Sequence, residues 1–98
     1  MPRGAVGRIR SAIRNAAYDT TGHAVEEMAE DGLDFIDVET AILNGRVVKT
    51  RKDDPRGTRY TVRGVGADDI TFLETVGRFT ETGRYLIVTA YKLVESET

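Results

Sequence analysis

The apolar residues of this chain change their spacing at Gly45, and that change limits the fold more than any other feature. Before Gly45 they recur every three to four residues, which is typical of helices that bury one stripe. After Gly45, β-branched and aromatic residues form short runs bounded by Gly, Asp or Pro, which is typical of strands. Helices followed by strands predict an α+β domain, with two to three helices on one face of a roughly four-stranded antiparallel sheet.

Capping residues set the predicted helix boundaries, and short polar links separate the predicted strands. The helices are predicted at about 4–16, from Thr20 or Thr21 to Gly32, and from Asp34 to Gly45, with 18–22 as a break; the strands are predicted at 47–50, 58–65, 70–78 and 84–92. One domain over 1–98 is expected, with a basic helix in 1–18, an acidic helical pair in 19–45 and the sheet in 46–94.

Charge is strongly segmented although the formal net charge is only −2. Residues 19–45 carry eight acidic and no basic side chains, whereas residues 46–63 carry seven basic and two acidic ones. A basic face is the electrostatic footprint of a nucleic-acid site. The alternative is a solvated, salt-bridged surface.

The residue types absent from the chain exclude several classes of site. There is no cysteine and only one histidine, which excludes disulfides, thiolate zinc sites and multi-histidine metal centres. No cofactor or metal is therefore expected. No apolar run approaches the ~18 residues that cross a bilayer, and no signal-peptide core is visible, so a cytoplasmic protein without a membrane partner is expected.

Four sequence pieces in a fixed order resemble a bacterial family, the domain of unknown function 4258. They are His23-Ala24-x-x-x-Met28-x-x-x-Gly32-Leu33, Asp37-Val38-Glu39-x-Ala41-Ile42-x-Asn44-Gly45, Asp53-Asp54-Pro55-Arg56-Gly57-x-Arg59-Tyr60-x-Val62 and Ile87-Val88-Thr89-Ala90-Tyr91. The family is similar to the RelE/ParE/BrnT-like toxins of type II toxin–antitoxin systems. The resemblance implies a ribonuclease, acting on free or ribosome-bound RNA, that a protein antitoxin restrains; several relatives are encoded beside a small zinc-ribbon antitoxin.

Two positions depart from the family pattern, because Glu27 and Asp31 stand where relatives commonly carry basic residues. If the second helix lines the groove, these acids repel phosphate and weaken RNA binding, which implies a weakened or non-catalytic member. Alternatively, they face solvent and the first two predicted strands build the groove.

RNA cleavage by 2′-hydroxyl attack needs a proton acceptor, cations on the scissile phosphate and a proton donor for the leaving oxygen, and none of these requires a metal. An unperturbed histidine has a pKa near ~6.5, which suits His23 to proton transfer. Arg59 and Arg63 lie four residues apart, so on a strand they share a face and can clamp a phosphate. The candidate catalytic residues are His23, Arg59 and Tyr91, and the candidate RNA-binding residues are Arg56, Tyr60, Arg63 and Lys92.

Each candidate also has a purely structural interpretation. His23 caps its helix or faces water, the arginines pair with helix acids, and the tyrosines pack in the core or on the sheet. The alternative function is a non-catalytic protein-interaction module on the same scaffold. Open sheet edges also allow a homo-oligomer or strand addition by a partner.

Overall fold

The computed structural model describes residues 4–94 as three helices and a five-stranded mixed sheet, which confirms the predicted α+β class. The elements in chain order are α1 (Ala5–Arg14), β1 (Tyr18–Thr20), α2 (Gly22–Glu30), α3 (Phe35–Asn44), β2 (Arg46–Arg51), β3 (Arg59–Val65), β4 (Phe72–Phe79) and β5 (Tyr85–Lys92). The strands lie side by side in the order β1-β5-β4-β3-β2.

Local side-chain caps explain where α2 and α3 begin. The Thr21 hydroxyl accepts from the Ala24 amide at 3.1 Å, and the Asp37 carboxylate accepts from the Asp34 amide at 3.0 Å. Helix α1 is shorter than predicted, because Ala16 has a φ of 54° and the chain leaves the helix before it. Within residues 4–94, each helix is too short to cross a membrane.

The predicted break at 18–22 contains a strand, which corrects the expectation of a purely antiparallel four-stranded sheet. Strand β1 pairs in parallel with β5, with Asp19 opposite Leu86. The Arg84 guanidinium donates to both Asp19 carboxylate oxygens, at 2.8 and 3.2 Å. The four predicted strands are β2 to β5, and each pairs antiparallel with its neighbour along the chain.

The helices cover one face of the sheet. Side chains alternate along each strand between the buried core on that face and the opposite face of the sheet. Val62, Leu73 and Ile87 are fully buried in one core with the apolar stripes of the helices. Helix α3 approaches β3 so closely that a Cβ on Gly64 would lie 1.8 Å from the Ala41 carbonyl oxygen. Arg63 and its alternate neighbours along β3 point to the other face, which stays open.

Helix α2 runs along the part of β5 that β1 leaves unpaired. The Thr21 hydroxyl donates to the Val88 carbonyl at 3.2 Å. The Glu27 carboxylate accepts from the Ala90 amide at 3.1 Å, and the Asp31 carboxylate accepts from the Lys92 amide at 2.9 Å. Glu27 of α2 and the residues that cap the two ends of this helix therefore replace a neighbouring strand and satisfy the sheet edge.

We predict that Glu27→Ala lowers the free energy of unfolding by about 1–3 kcal/mol, because it leaves the partly buried Ala90 amide without its acceptor. Urea denaturation measures the loss. Glu26→Ala removes the same charge from the exposed side of the same helix and is the matched control, with an expected change within about 0.5 kcal/mol. Equal losses in both variants would contradict the edge-capping role.

Candidate functional site

The open face of the sheet forms a groove of about 440 Å³, named here the open-face groove. It holds four cationic side chains, one carboxylate and two valines. Its lining residues are Val48, Lys49, Arg51, Arg59, Thr61, Arg63, Glu74, Val76 and Tyr91. The positive balance of this face makes it suitable for an anionic polymer.

Glu74 is the hydrogen-bonding centre of the open-face groove. Strand register places it opposite Arg63 on one side and opposite Tyr91 on the other. The Arg63 guanidinium donates to Glu74 Oε2 from Nη2 at 2.7 Å and from Nε at 2.9 Å, while the Tyr91 hydroxyl donates to Oε1 at 2.6 Å. Only 11% of the Glu74 side chain is exposed, and both of its carboxylate oxygens accept hydrogen bonds from protein donors.

These contacts shift the pKa values of Glu74 and Tyr91. Burial raises the pKa of Glu74, but hydrogen bonds from Tyr91 and Arg63 and the nearby positive charges outweigh burial and lower this pKa overall. The hydrogen bond to Glu74, burial and the charges of Glu74 and Glu27 raise the pKa of Tyr91 to about 12. At neutral pH an ionised carboxylate therefore lies between a charged guanidinium and a protonated phenol.

A second carboxylate, that of Asp54, lies in the β2–β3 hairpin and positions the arginines at this end of the open-face groove. Asp54 Oδ2 lies 2.7 Å from Arg59 Nε, and Asp54 Oδ1 accepts from the Arg56 backbone amide at 2.9 Å. Arg51 and Arg59 line both the groove and the depression around this hairpin, so the two are continuous. A track of cations therefore runs from Arg63 to Arg56.

The structure brings three of the predicted site residues together. Arg59, Arg63 and Tyr91 line the open-face groove, and Arg56 lies in the adjoining hairpin. Arg59 and Arg63 share one face of β3, as their spacing predicted, and both pair with acids of the sheet and its hairpin rather than with helix acids.

The other three predicted residues lie outside the open-face groove. Tyr60 points to the helix-covered face, where it packs on the core and accepts from Arg8 at 3.3 Å, because adjacent strand residues face opposite ways. His23 lies on α2 with 66% of its side chain exposed, and its Nε2 is 3.5 Å from Glu27 Oε2. Lys92 pairs with Leu73 at the end of β5, beside Asp31.

One of the two alternatives for the second helix, that it lines the groove, does not hold for the open-face groove. Glu27 and Asp31 are absent from the groove lining and bind the backbone of β5 instead. They also do not simply face solvent, which was the other alternative. Strands β2 to β5 build the open-face groove, so these two acids do not reduce its positive charge from within.

Four polar or charged residues line the groove but were not among the candidates that the sequence predicted: Lys49, Arg51, Thr61 and Glu74. A charged residue between Leu73 and Thr75 inside a strand was the available signal for Glu74. Its partners were not visible, because they depend on the register between strands that are distant in sequence.

A family model for a domain of unknown function (DUF4258) matches residues 20–92. The chain belongs to this family. The match extends from β1 to the end of β5 and includes every residue of the open-face groove, so the groove is part of the DUF4258 domain. No curated protein and no solved structure matches the chain significantly.

Glu74 should make the stability of this DUF4258 chain depend on pH. Its folded-state pKa lies below the ordinary value for a glutamate, so the ionised form stabilises the fold. We predict that wild type is more stable than Glu74→Gln near neutral pH, and that the difference shrinks as pH falls below the unfolded pKa and through the folded pKa.

Urea denaturation between neutral pH and pH ~3 measures this difference. Glu81→Gln is the control, because it makes the same charge change in the exposed turn between β4 and β5. A Glu74→Gln difference that stays constant with pH would show that the lost stability does not depend on ionisation.

Proposed function

We propose that this chain is the toxin of a type II toxin–antitoxin system: an endoribonuclease that uses its own side chains for RNA cleavage and is neutralised by a protein antitoxin. The observation that carries the proposal is the open-face groove, where cations surround an ionised carboxylate that accepts a hydrogen bond from a protonated phenol. These groups match the three requirements of 2′-hydroxyl attack on phosphate. The expected resemblance to RelE/ParE/BrnT-like toxins implies the same activity.

The cations of the open-face groove hold the RNA backbone in this proposal. Arg63 and Arg59 are held in place by Glu74 and Asp54. Phosphate binding therefore costs these side chains little conformational entropy. Lys49 and Arg51 add positive charge along β2. Guanidinium groups bind phosphate oxygens in pairs and stabilise the charge that develops on them.

Glu74 and Tyr91 move the protons in this proposal. Glu74 takes the 2′-hydroxyl proton, the 2′ oxygen forms a bond to phosphorus, and the bond from phosphorus to the 5′ oxygen breaks. Tyr91 gives its proton to the 5′ oxygen and then recovers a proton from Glu74 across their 2.6 Å hydrogen bond. The products are a 2′,3′-cyclic phosphate and a 5′-hydroxyl, and both side chains return to their initial states.

His23 is the second candidate for proton transfer. It lies one helical turn before Glu27, whose charge contributes to the raised pKa of Tyr91. A nucleotide bound across the β5 edge would meet this imidazole instead of Glu74. Variants of Glu74 and of His23 distinguish the two assignments.

The proposed antitoxin is a protein whose acidic segment covers the basic groove, in line with the zinc-ribbon antitoxins encoded beside several relatives. β2 is an edge strand of the sheet and carries Lys49 and Arg51 beside this groove. Charge complementarity favours an acidic partner at this edge. RNA cleavage would take place in the cytoplasm, where both RNA and antitoxin are available.

Tightly controlled expression in a bacterial host tests the proposal. We predict growth arrest with cleaved RNA for wild type, and a loss of about 10²–10³ in cleavage rate for Arg63→Ala and Tyr91→Phe. Arg14→Ala removes one exposed positive charge from α1, away from the groove, and should retain full activity. A folded wild-type chain that leaves growth and RNA unchanged would contradict the proposal and favour the interaction module.

Two further variants identify the proton-transfer group. Glu74→Gln should abolish cleavage, whereas His23→Ala should preserve it, if the groove carboxylate takes the 2′ proton. The reverse result assigns proton transfer to the β5 edge. Circular dichroism of each purified variant separates lost chemistry from lost folding.

A further inference from the structure

An exposed apolar patch adjoins the open-face groove at the end opposite the β2–β3 hairpin. Phe72 is 51% exposed, and Ile70 and Val94 are 77% and 85% exposed. They border a depression that Arg63 and Lys92 also line. Exposed apolar groups gathered at one place on a small domain are typical of a binding surface.

Strand register places the Phe72 ring beside the proposed chemistry. Phe72 lies opposite Val65, two positions along β4 from the Glu74–Arg63 pair. Residues two apart on a strand share a face and lie about 7 Å apart. Phe72 and Glu74 therefore face the same side, at a separation that the sugar and phosphate of one nucleotide span.

The mixed character of the depression favours a nucleobase as its occupant. Arg63 and Lys92 would lose hydration against a purely apolar partner, whereas a nucleotide offers them an anionic phosphate beside a flat aromatic ring. A duplex buries the faces of its bases and cannot offer one to a side chain. Only an unpaired base can lie on Phe72 while its backbone continues along the cation track from Arg63 to Arg56.

We propose that Phe72 is a base-stacking platform that selects single-stranded RNA and positions one nucleotide against the Glu74–Arg63–Tyr91 site. This rests on the proposed function for the identity of the ligand as RNA. Phe72 is then a specificity-determining residue and not part of the proton-transfer chemistry.

Fluorescence anisotropy with a labelled 2′-O-methyl RNA of about six nucleotides tests the inference, because this probe has no 2′-hydroxyl to attack and the length suits one small site. Phe72→Ala should weaken binding about 5- to 150-fold, the equivalent of one stacked base at about 1–3 kcal/mol. Phe72→Tyr should restore binding. An abasic oligomer of equal length should bind wild type and Phe72→Ala equally.

Two matched variants separate stacking from general effects. Phe35→Ala removes a similarly exposed ring at the start of α3, outside this depression, and should bind the probe like wild type. Arg51→Ala should weaken the binding of both oligomers. It should also reduce the slope of the logarithm of the binding constant against the logarithm of the salt concentration by about 0.7. Equal losses in Phe72→Ala and Phe35→Ala, or unchanged probe binding in Phe72→Ala, would overturn the inference.

The remaining outcomes also distinguish this inference from the proposed function. Growth arrest and RNA cleavage together with unchanged Phe72→Ala binding overturn the stacking role alone. Base-dependent probe binding without cleavage of unmodified RNA overturns the ribonuclease and supports the stacking role. If Phe72→Ala changes only the oligomeric state in sedimentation, the patch is a self-association surface and the inference fails.

Discussion

A single carboxylate, Glu74, connects three adjacent strands on the face of the sheet that the helices leave open. It lies on β4 and accepts from Arg63 of β3 and Tyr91 of β5. A buried carboxylate loses hydration, and charge-assisted hydrogen bonds to both of its oxygens offset that cost. The same contacts hold the guanidinium and the phenol in place, so the order of the open-face groove depends on this residue.

Because the helices cover only one face of the sheet, a charged centre like that of Glu74 can form on the other face. On the covered face, the strands and helices pack closely: a Cβ on Gly64 would overlap α3, and one on Gly77 would lie 2.5 Å from the Tyr85 ring. On the open face, alternate residues of the same strands are free to carry charge. Helix α2 completes the arrangement, because Glu27 and Asp31 satisfy the backbone of β5 where no strand does.

The elements that depend on local chemistry were predictable from the sequence. Thr21 and Asp34 mark helix starts because a capping group acts within its own first turn. Strand β1 was missed, since three residues are too few to show alternation and its parallel partner is more than sixty residues away. The shared face of Arg59 and Arg63 followed from spacing alone, and the same alternation shows why Tyr60 faces the core.

The candidate site was predictable only in part, because it depends on register. The sequence supplied its arginines as a basic block and Tyr91 as a motif residue, but the pairing of Arg63 with Glu74 requires the fold of β3 against β4. His23 drew attention because its residue type suits proton transfer, yet helix α2 places it at the sheet edge. Residue type thus identified candidates, and topology decided which of them meet.

Mapping an uncleavable single-stranded RNA onto the isotope-labelled chain by NMR tests the central claim most directly. The account predicts that amide shifts concentrate on the open face, at Lys49, Thr61, Arg63 and Tyr91, and that the arginine-bearing helix α1 changes little. Shifts concentrated on α1, or no shifts at RNA concentrations that saturate a micromolar site, would contradict a nucleic-acid function for the open-face groove.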